Sequence, residues 1–180
     1  MHGTGKFLVT HSIFAWTPRM ISDVLLAEAD LLVAACRANG VMLTTAESCT
    51  GGLIAATLTA IAGSSDVVDR GFVTYSNAAK HEMIGVPMQL IHADGAVSES
   101  VVRAMAEGAL SRSQATIAVA VTGVAGPGGG SAEKPVGLIW FGLAKRGRPV
   151  ISERRMLPGD RTAIRAEAVL HAFQMIRTQV

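Results

Sequence analysis

A hydroxyl and a thiol stand side by side at Ser48 and Cys49, within the stretch Thr45-Ala46-Glu47-Ser48-Cys49-Thr50-Gly51-Gly52. Either becomes a nucleophile for acyl transfer once its proton is taken, and a helix N-terminus favours a thiolate. The apolar run Val41-Met42-Leu43-Thr44 before the stretch predicts a buried strand. Leu53-Ile54-Ala55-Ala56-Thr57-Leu58 after it has the spacing of a packed helix. A strand-to-helix turn there presents unpaired N–H groups. These could face a bound phosphate, or the oxyanion formed when Ser48 attacks a carbonyl. Gly51 and Gly52 would let a substrate approach the backbone closely. The same residues also suit a plain cap, with Ser48 or Thr50 satisfying the helix and the glycines shaping the turn.

Two further loops carry chemistry. Thr74-Tyr75-Ser76-Asn77-Ala78-Ala79-Lys80 contains the only tyrosine of the chain, at a predicted strand end. A lysine is a poor base at its ordinary pKa of about 10.4, but desolvation can lower it enough to take a proton from serine. The tyrosine hydroxyl could relay that proton or hold a substrate. An exposed lysine and a half-buried tyrosine fit the spacing as well. The third loop, Thr122-Gly123-Val124-Ala125-Gly126-Pro127-Gly128-Gly129-Gly130, has the glycines of a phosphate cradle. It is not a P-loop, because Gly129 and Gly130 stand where lysine and serine or threonine belong. Nor is it a dinucleotide fingerprint, because Ser131 replaces the last glycine and a predicted strand follows.

The histidines show no ligand spacing with cysteine or carboxylate, so no metal site is expected. His92 and Asp94 are neighbours in sequence, but nothing ties them to Ser48 as a triad. Arg161 and Arg165 open the last predicted helix, where a cation opposes the helix dipole. That placement favours a ligand anion as their partner.

These loops need a scaffold that brings strand ends together. With 180 residues, 49% of them apolar and only 4% aromatic, the chain suits one domain with a core of Ala, Val, Leu and Ile. A helix is expected from Ser22-Asp23 to Asn39-Gly40, with apolar recurrences at Val24, Leu25, Leu31, Leu32 and Ala35. Further strands are expected at Gly71–Tyr75, Thr116–Thr122, Val136–Ala144 and Val150–Met156, and the last two read as an antiparallel hairpin. Helices are expected at Asn77–Ile84, Ser98–Ser111 and Arg161–Arg177, with a loop through His92-Ala93-Asp94-Gly95. The pattern predicts an α/β fold, a single-domain three-layer α/β/α sandwich. Its sheet is mixed and mostly parallel, closed by a C-terminal β-hairpin plus helix. Residues 1–19 read as an N-terminal extension without an assigned role, and the domain as 20–180.

A net charge of +2, with basic residues scattered apart from Lys145-Arg146-Gly147-Arg148, does not indicate a nucleic-acid groove. No apolar run approaches a membrane span, and no signal peptide is recognised. Two cysteines in separate predicted elements give no disulfide framework, so a reducing cytoplasm is the expectation.

Together, Ala46–Gly52, Gly71–Lys80 and Ala120–Pro127 closely resemble the CinA C-terminal domain family, in order and over most of the chain. The resemblance implies a nicotinamide mononucleotide deamidase, which hydrolyses the carboxamide to nicotinic acid mononucleotide and ammonia without a metal or other cofactor. By it, Ser48 is the nucleophile, Lys80 its base and Tyr75 a hydroxyl partner. Gly51, Gly52, Thr122, Gly123 and Arg161 are the residues expected to bind the nucleotide. A homodimer is the family expectation. A non-catalytic nucleotide-binding module, or an amidohydrolase for another small amide, are the competing readings. The additional N-terminal domain of some family members has no counterpart in this sequence.

Overall fold

The computed structural model describes residues 21–180; the N-terminal extension at 1–19 lies outside them. The elements run α1 (Asp23–Ala38), β1 (Leu43–Glu47), α2 (Leu53–Thr59), β2 (Val68–Val73), α3 (Asn77–Ile84), α4 (Met88–Asp94), α5 (Glu99–Ser111), β3 (Ile117–Gly123), β4 (Leu138–Lys145), β5 (Ile151–Met156) and α6 (Arg161–Arg177). The five strands form one sheet in the order β2-β1-β3-β4-β5. β1 is parallel to both β2 and β3, whereas β4 runs antiparallel to β3 and β5 antiparallel to β4. Only β4 therefore opposes the direction of the others.

The sheet's two faces are built from different residue sizes. Ile117, Val119 and Val121 of β3 pack with α1, α2 and α6 on one face. Ala118 and Ala120 face α5 on the other. Small residues there let α5 approach closely: a side chain at Gly142 of β4 would put its Cβ 2.6 Å from the Val102 carbonyl oxygen. The same tightness joins α5 to α3, where a Cβ at Gly108 would fall 2.0 Å from the Ile84 oxygen. Both faces are thus covered by helices, as the pattern predicts.

Several boundaries differ from expectation. Val24 and Leu31 were expected on the apolar stripe of α1 but are 62% and 59% exposed, while Leu25, Ala29, Leu32, Val33 and Cys36 carry its packing. β2 begins at Val68 and ends at Val73, so Thr74 and Tyr75 have already left the sheet. The expected loop through His92 is helical: α4 begins behind Pro87 and ends at Gly95, whose φ of 77° breaks it. Its single buried residue, Ile91, leaves too faint a periodicity to read from sequence. Arg146, in the basic cluster at the turn between β4 and β5, donates to the Ala115 and Ser113 carbonyls at 2.8 Å each and ties the hairpin to the segment after α5. Among the described residues no helix is long and apolar enough to cross a membrane.

The chain leaves β1 to β2 through α2 on one face. It then returns past β1 to β3 through α3, α4 and α5 on the other. The crossovers diverge at the C-terminal end of β1, and the crevice between them is where open α/β sheets hold ligands. Ser48 is the next residue.

Candidate active site

Side chains alternate along a strand, and the end of β1 uses that alternation to separate two functions. Leu43 packs on the α2 face and Ala46 on the α5 face. Glu47 belongs to the first set: its carboxylate accepts from the N–H groups of Ile54 (3.0 Å) and Ala55 (2.9 Å), and from the Thr45 hydroxyl (3.2 Å). Ser48 follows with the opposite sense, and Lys80 of α3 meets it. Lys80 Nζ stands 3.0 Å from Ser48 Oγ and donates to the Thr74 carbonyl at 2.9 Å, with the Tyr75 carbonyl 3.5 Å away.

Lys80 is only 1% exposed. Burial pushes its pKa down from 10.5 to about 8, against a smaller opposing influence from Cys49. As a neutral amine, Nζ has two N–H bonds and one lone pair. The two carbonyls are natural acceptors for the N–H bonds, which leaves the lone pair for the Ser48 proton. Cys49, the rival nucleophile, is buried, and its thiol is pushed up to about 12 by burial, with the Glu47 carboxylate adding to the rise. It stays protonated at physiological pH, so the acidifying effect expected of a helix start does not prevail.

A cleft of about 260 Å³ opens over Ser48, bounded by Cys49, Tyr75, Val97, Gly123 and Arg161. The Arg161 guanidinium spans it, donating to the Gly126 carbonyl at 2.8 Å and reaching the Tyr75 hydroxyl at 3.5 Å. Of the predicted residues, then, Ser48, Lys80, Tyr75, Gly123 and Arg161 converge. Thr122, Gly51 and Gly52 do not line the cleft. Thr122 is buried and donates to the Ala96 carbonyl (2.8 Å), seating the segment that carries Val97. Gly51 and Gly52, at φ of 59° and 92°, make the left-handed bend into α2.

Arg165 donates to the Thr50 carbonyl at 2.6 Å, bracing the turn from α6. His81 bonds the Val86 carbonyl and His171 bonds Glu153, whereas the basic group that meets Ser48 Oγ is the Lys80 amine. The N–H groups available to an oxyanion are also fewer than the turn suggests. Ser48 N–H donates to Val121, Gly51 N–H to Ser48, and the first turn of α2 to Glu47. Glu47 was missed as a contributor. The signal that could have found it is an acidic residue predicted at a buried strand end just before a helix start. A larger cavity of about 940 Å³ lies between α4 and α5 and includes none of these residues. Among the described residues no group of three or more His, Cys, Asp or Glu side chains could hold a metal.

An α/β sheet with a buried serine–lysine pair at the crossover point is the class that the fold and site define. Residues 26–180 match the model of the CinA C-terminal domain, and the chain belongs to that family. It is 55% identical over 141 residues to the nicotinamide-nucleotide amidohydrolase PncC of Enterobacter agglomerans, covering 78% of this chain and 86% of that one. The PncC of Escherichia coli K12 is 51% identical over 145 residues, covering 81% and 88%. Among solved structures, the competence/damage inducible protein CihA of Agrobacterium tumefaciens superposes with a TM-score of 0.85 at 49% identity, covering 88% of this chain and 97% of that one.

Proposed function

We propose that this protein hydrolyses the carboxamide of nicotinamide mononucleotide to nicotinic acid mononucleotide and ammonia, with Ser48 as nucleophile and Lys80 as base. The observation that carries the reading is the 3.0 Å approach of the buried Lys80 amine to the Ser48 hydroxyl at the cleft, and burial lowers the pKa of that amine to about 8. The relatives at 51–55% identity named for this amidohydrolase activity supply the substrate.

Lys80 takes the proton as Ser48 Oγ bonds to the carboxamide carbon, and the carbonyl oxygen becomes an oxyanion. The Cys49 N–H, next after the nucleophile, is our choice of donor to it. The C–N bond then breaks as Lys80 returns its proton to the departing nitrogen, so ammonia leaves and an ester to Ser48 remains. The neutral amine next takes a proton from water, the hydroxide bonds to the ester carbon, and Ser48 leaves reprotonated. Lys80 reaches Ser48 directly, so no relay through Tyr75 is needed; we assign Tyr75 and Arg161 to holding the nucleotide. Gly123, Gly126, Gly128 and Gly129 line the same cleft as Ser48. Two free, buried thiols suit a cytoplasmic enzyme of pyridine nucleotide recycling, and we propose a homodimer, to be checked by sedimentation.

Ammonia release from nicotinamide mononucleotide tests the reading. Ser48→Ala and Lys80→Ala should each lose at least about a thousandfold in kcat, as for a nucleophile and its base. Cys49→Ala should keep most of the activity. Activity that survives in Ser48→Ala but is lost in Cys49→Ala reverses the nucleophile assignment. Binding without turnover by the unmodified protein favours a nucleotide-binding module, and turnover of another amide alone moves the substrate.

A further inference from the structure

We infer that Glu47 is a positioning residue for the Ser48–Lys80 pair, an inference that rests on the serine–lysine reading above. A fully buried carboxylate is costly unless its oxygens are matched by donors. Glu47 has no exposure and is matched by three: the Ile54 and Ala55 N–H groups and the Thr45 hydroxyl. Its partners Ile54 and Ala55 lie beyond the turn that carries Ser48. The carboxylate therefore closes the Ser48–Gly52 segment from behind, as a strap from the last residue of β1 to the first turn of α2. Arg165 of α6 braces the same segment through the Thr50 carbonyl.

The backbone of Glu47 serves the second partner. Its carbonyl accepts the Thr74 N–H at 2.8 Å, and the Thr74 carbonyl in turn accepts from Lys80 Nζ at 2.9 Å. One residue thus fixes the turn that bears the nucleophile and abuts the loop that orients the base, while its side chain takes no part in lining the cleft. A glutamine at 47 could accept only one of the two N–H bonds, because its NH2 group would face the other donor. The turn must then open, and Ser48 Oγ moves relative to Lys80 Nζ. A misplacement of about 1 Å costs on the order of a hundredfold in rate.

The test reads Ser48 reactivity without the substrate. A fluorophosphonate reagent labels an activated serine, and the labelling rate is followed by mass spectrometry in the unmodified protein, Ser48→Ala, Glu47→Gln and Glu47→Asp. Glu47→Asp keeps the charge but is one carbon too short to strap both N–H groups, and it carries the test if Glu47→Gln does not fold. Both Glu47 variants should label about 10- to 100-fold more slowly. Their pH midpoint should stay near that of the unmodified protein, because Lys80 remains buried. In ammonia release, kcat should fall while KM for nicotinamide mononucleotide stays within about threefold. Labelling at the unmodified rate in either folded variant overturns the inference. So does a midpoint displaced by a full pH unit, which would mean that Glu47 acts through its charge on Lys80. Failure of the unmodified protein to label at Ser48 overturns the serine–lysine reading itself. Labelling of Ser48 without ammonia release overturns only the substrate.

Discussion

Replacing Lys80 by methionine should remove catalysis and, separately, flatten part of the protein's stability–pH profile. Burial holds the folded-state pKa at about 8, against 10.5 for the free side chain. Between those values the unfolded chain binds a proton that the folded protein has released, so stability climbs with pH across the window. Below about pH 8 both states are protonated and the buried ammonium exerts its full cost. Above about pH 10.5 neither is protonated and the cost is gone. At about 1.4 kcal/mol for each pH unit, the whole penalty is about 3 kcal/mol. Lys80→Met lacks this dependence. It also strands the Thr74 carbonyl that Lys80 now bonds, a loss of about 1–3 kcal/mol that does not vary with pH. The discriminating quantity is therefore a difference of differences. In urea unfolding, the unmodified protein should gain about 2 kcal/mol on Lys80→Met between about pH 7 and pH 9.5, while titrations common to both cancel. The kcat/KM of the unmodified protein should rise through the same midpoint, near 8, as the proposed role of the neutral amine as base requires. A stability difference that stays level across that range would refute the reasoning, since Lys80 would then hold its proton as tightly inside the fold as outside it.

Arg161→Ala removes the guanidinium that joins the Gly126 carbonyl to the Tyr75 hydroxyl. It should raise KM for the nucleotide about tenfold or more, with kcat within about threefold in steady-state assays. Gly108→Ala places a Cβ where the Ile84 carbonyl lies and must part α5 from α3. It should cost about 1–3 kcal/mol or more in chemical denaturation. Cys49, with its thiol pushed up to about 12, should resist iodoacetamide in the native protein and react after unfolding, as read by intact mass.

The scaffold was legible where residue size and periodicity speak for themselves. The run Ile117–Val121 announces a strand buried on both sides, and Gly147 with its φ of 72° turns the expected hairpin. α4 was not legible, because a helix of seven residues with only Ile91 buried has no stripe to detect. Nor could spacing alone decide Lys80, since lysine is among the residues least often buried and its local pattern suits an exposed helix. Its surroundings come from the fold: Ser48, 32 residues away, meets the amine, and because β2 ends at Val73 the Thr74 and Tyr75 carbonyls turn toward it. The turn at Ser48 shows the same division. Its strand, its helix and its glycines follow from sequence, but the N–H groups of the helix start are claimed by Glu47 instead of by a ligand.

That last correction follows from the two-residue period of a strand. A carboxylate and a nucleophile on the same face would compete for the donors of the helix start and for the lysine. With Glu47 turned to α2 and Ser48 to α3, each takes a different set. A one-residue slip at the end of β1 would bring the acid to the amine and the serine to the helix cap, which is the plain capping arrangement that the local residues also allow. The register Glu47↔Val73 and Glu47↔Val121, fixed by parallel neighbours on both sides, holds the chain in the other arrangement. The sheet therefore decides that Ser48 meets the Lys80 amine rather than the helix start, which is the placement the proposed nucleophile needs.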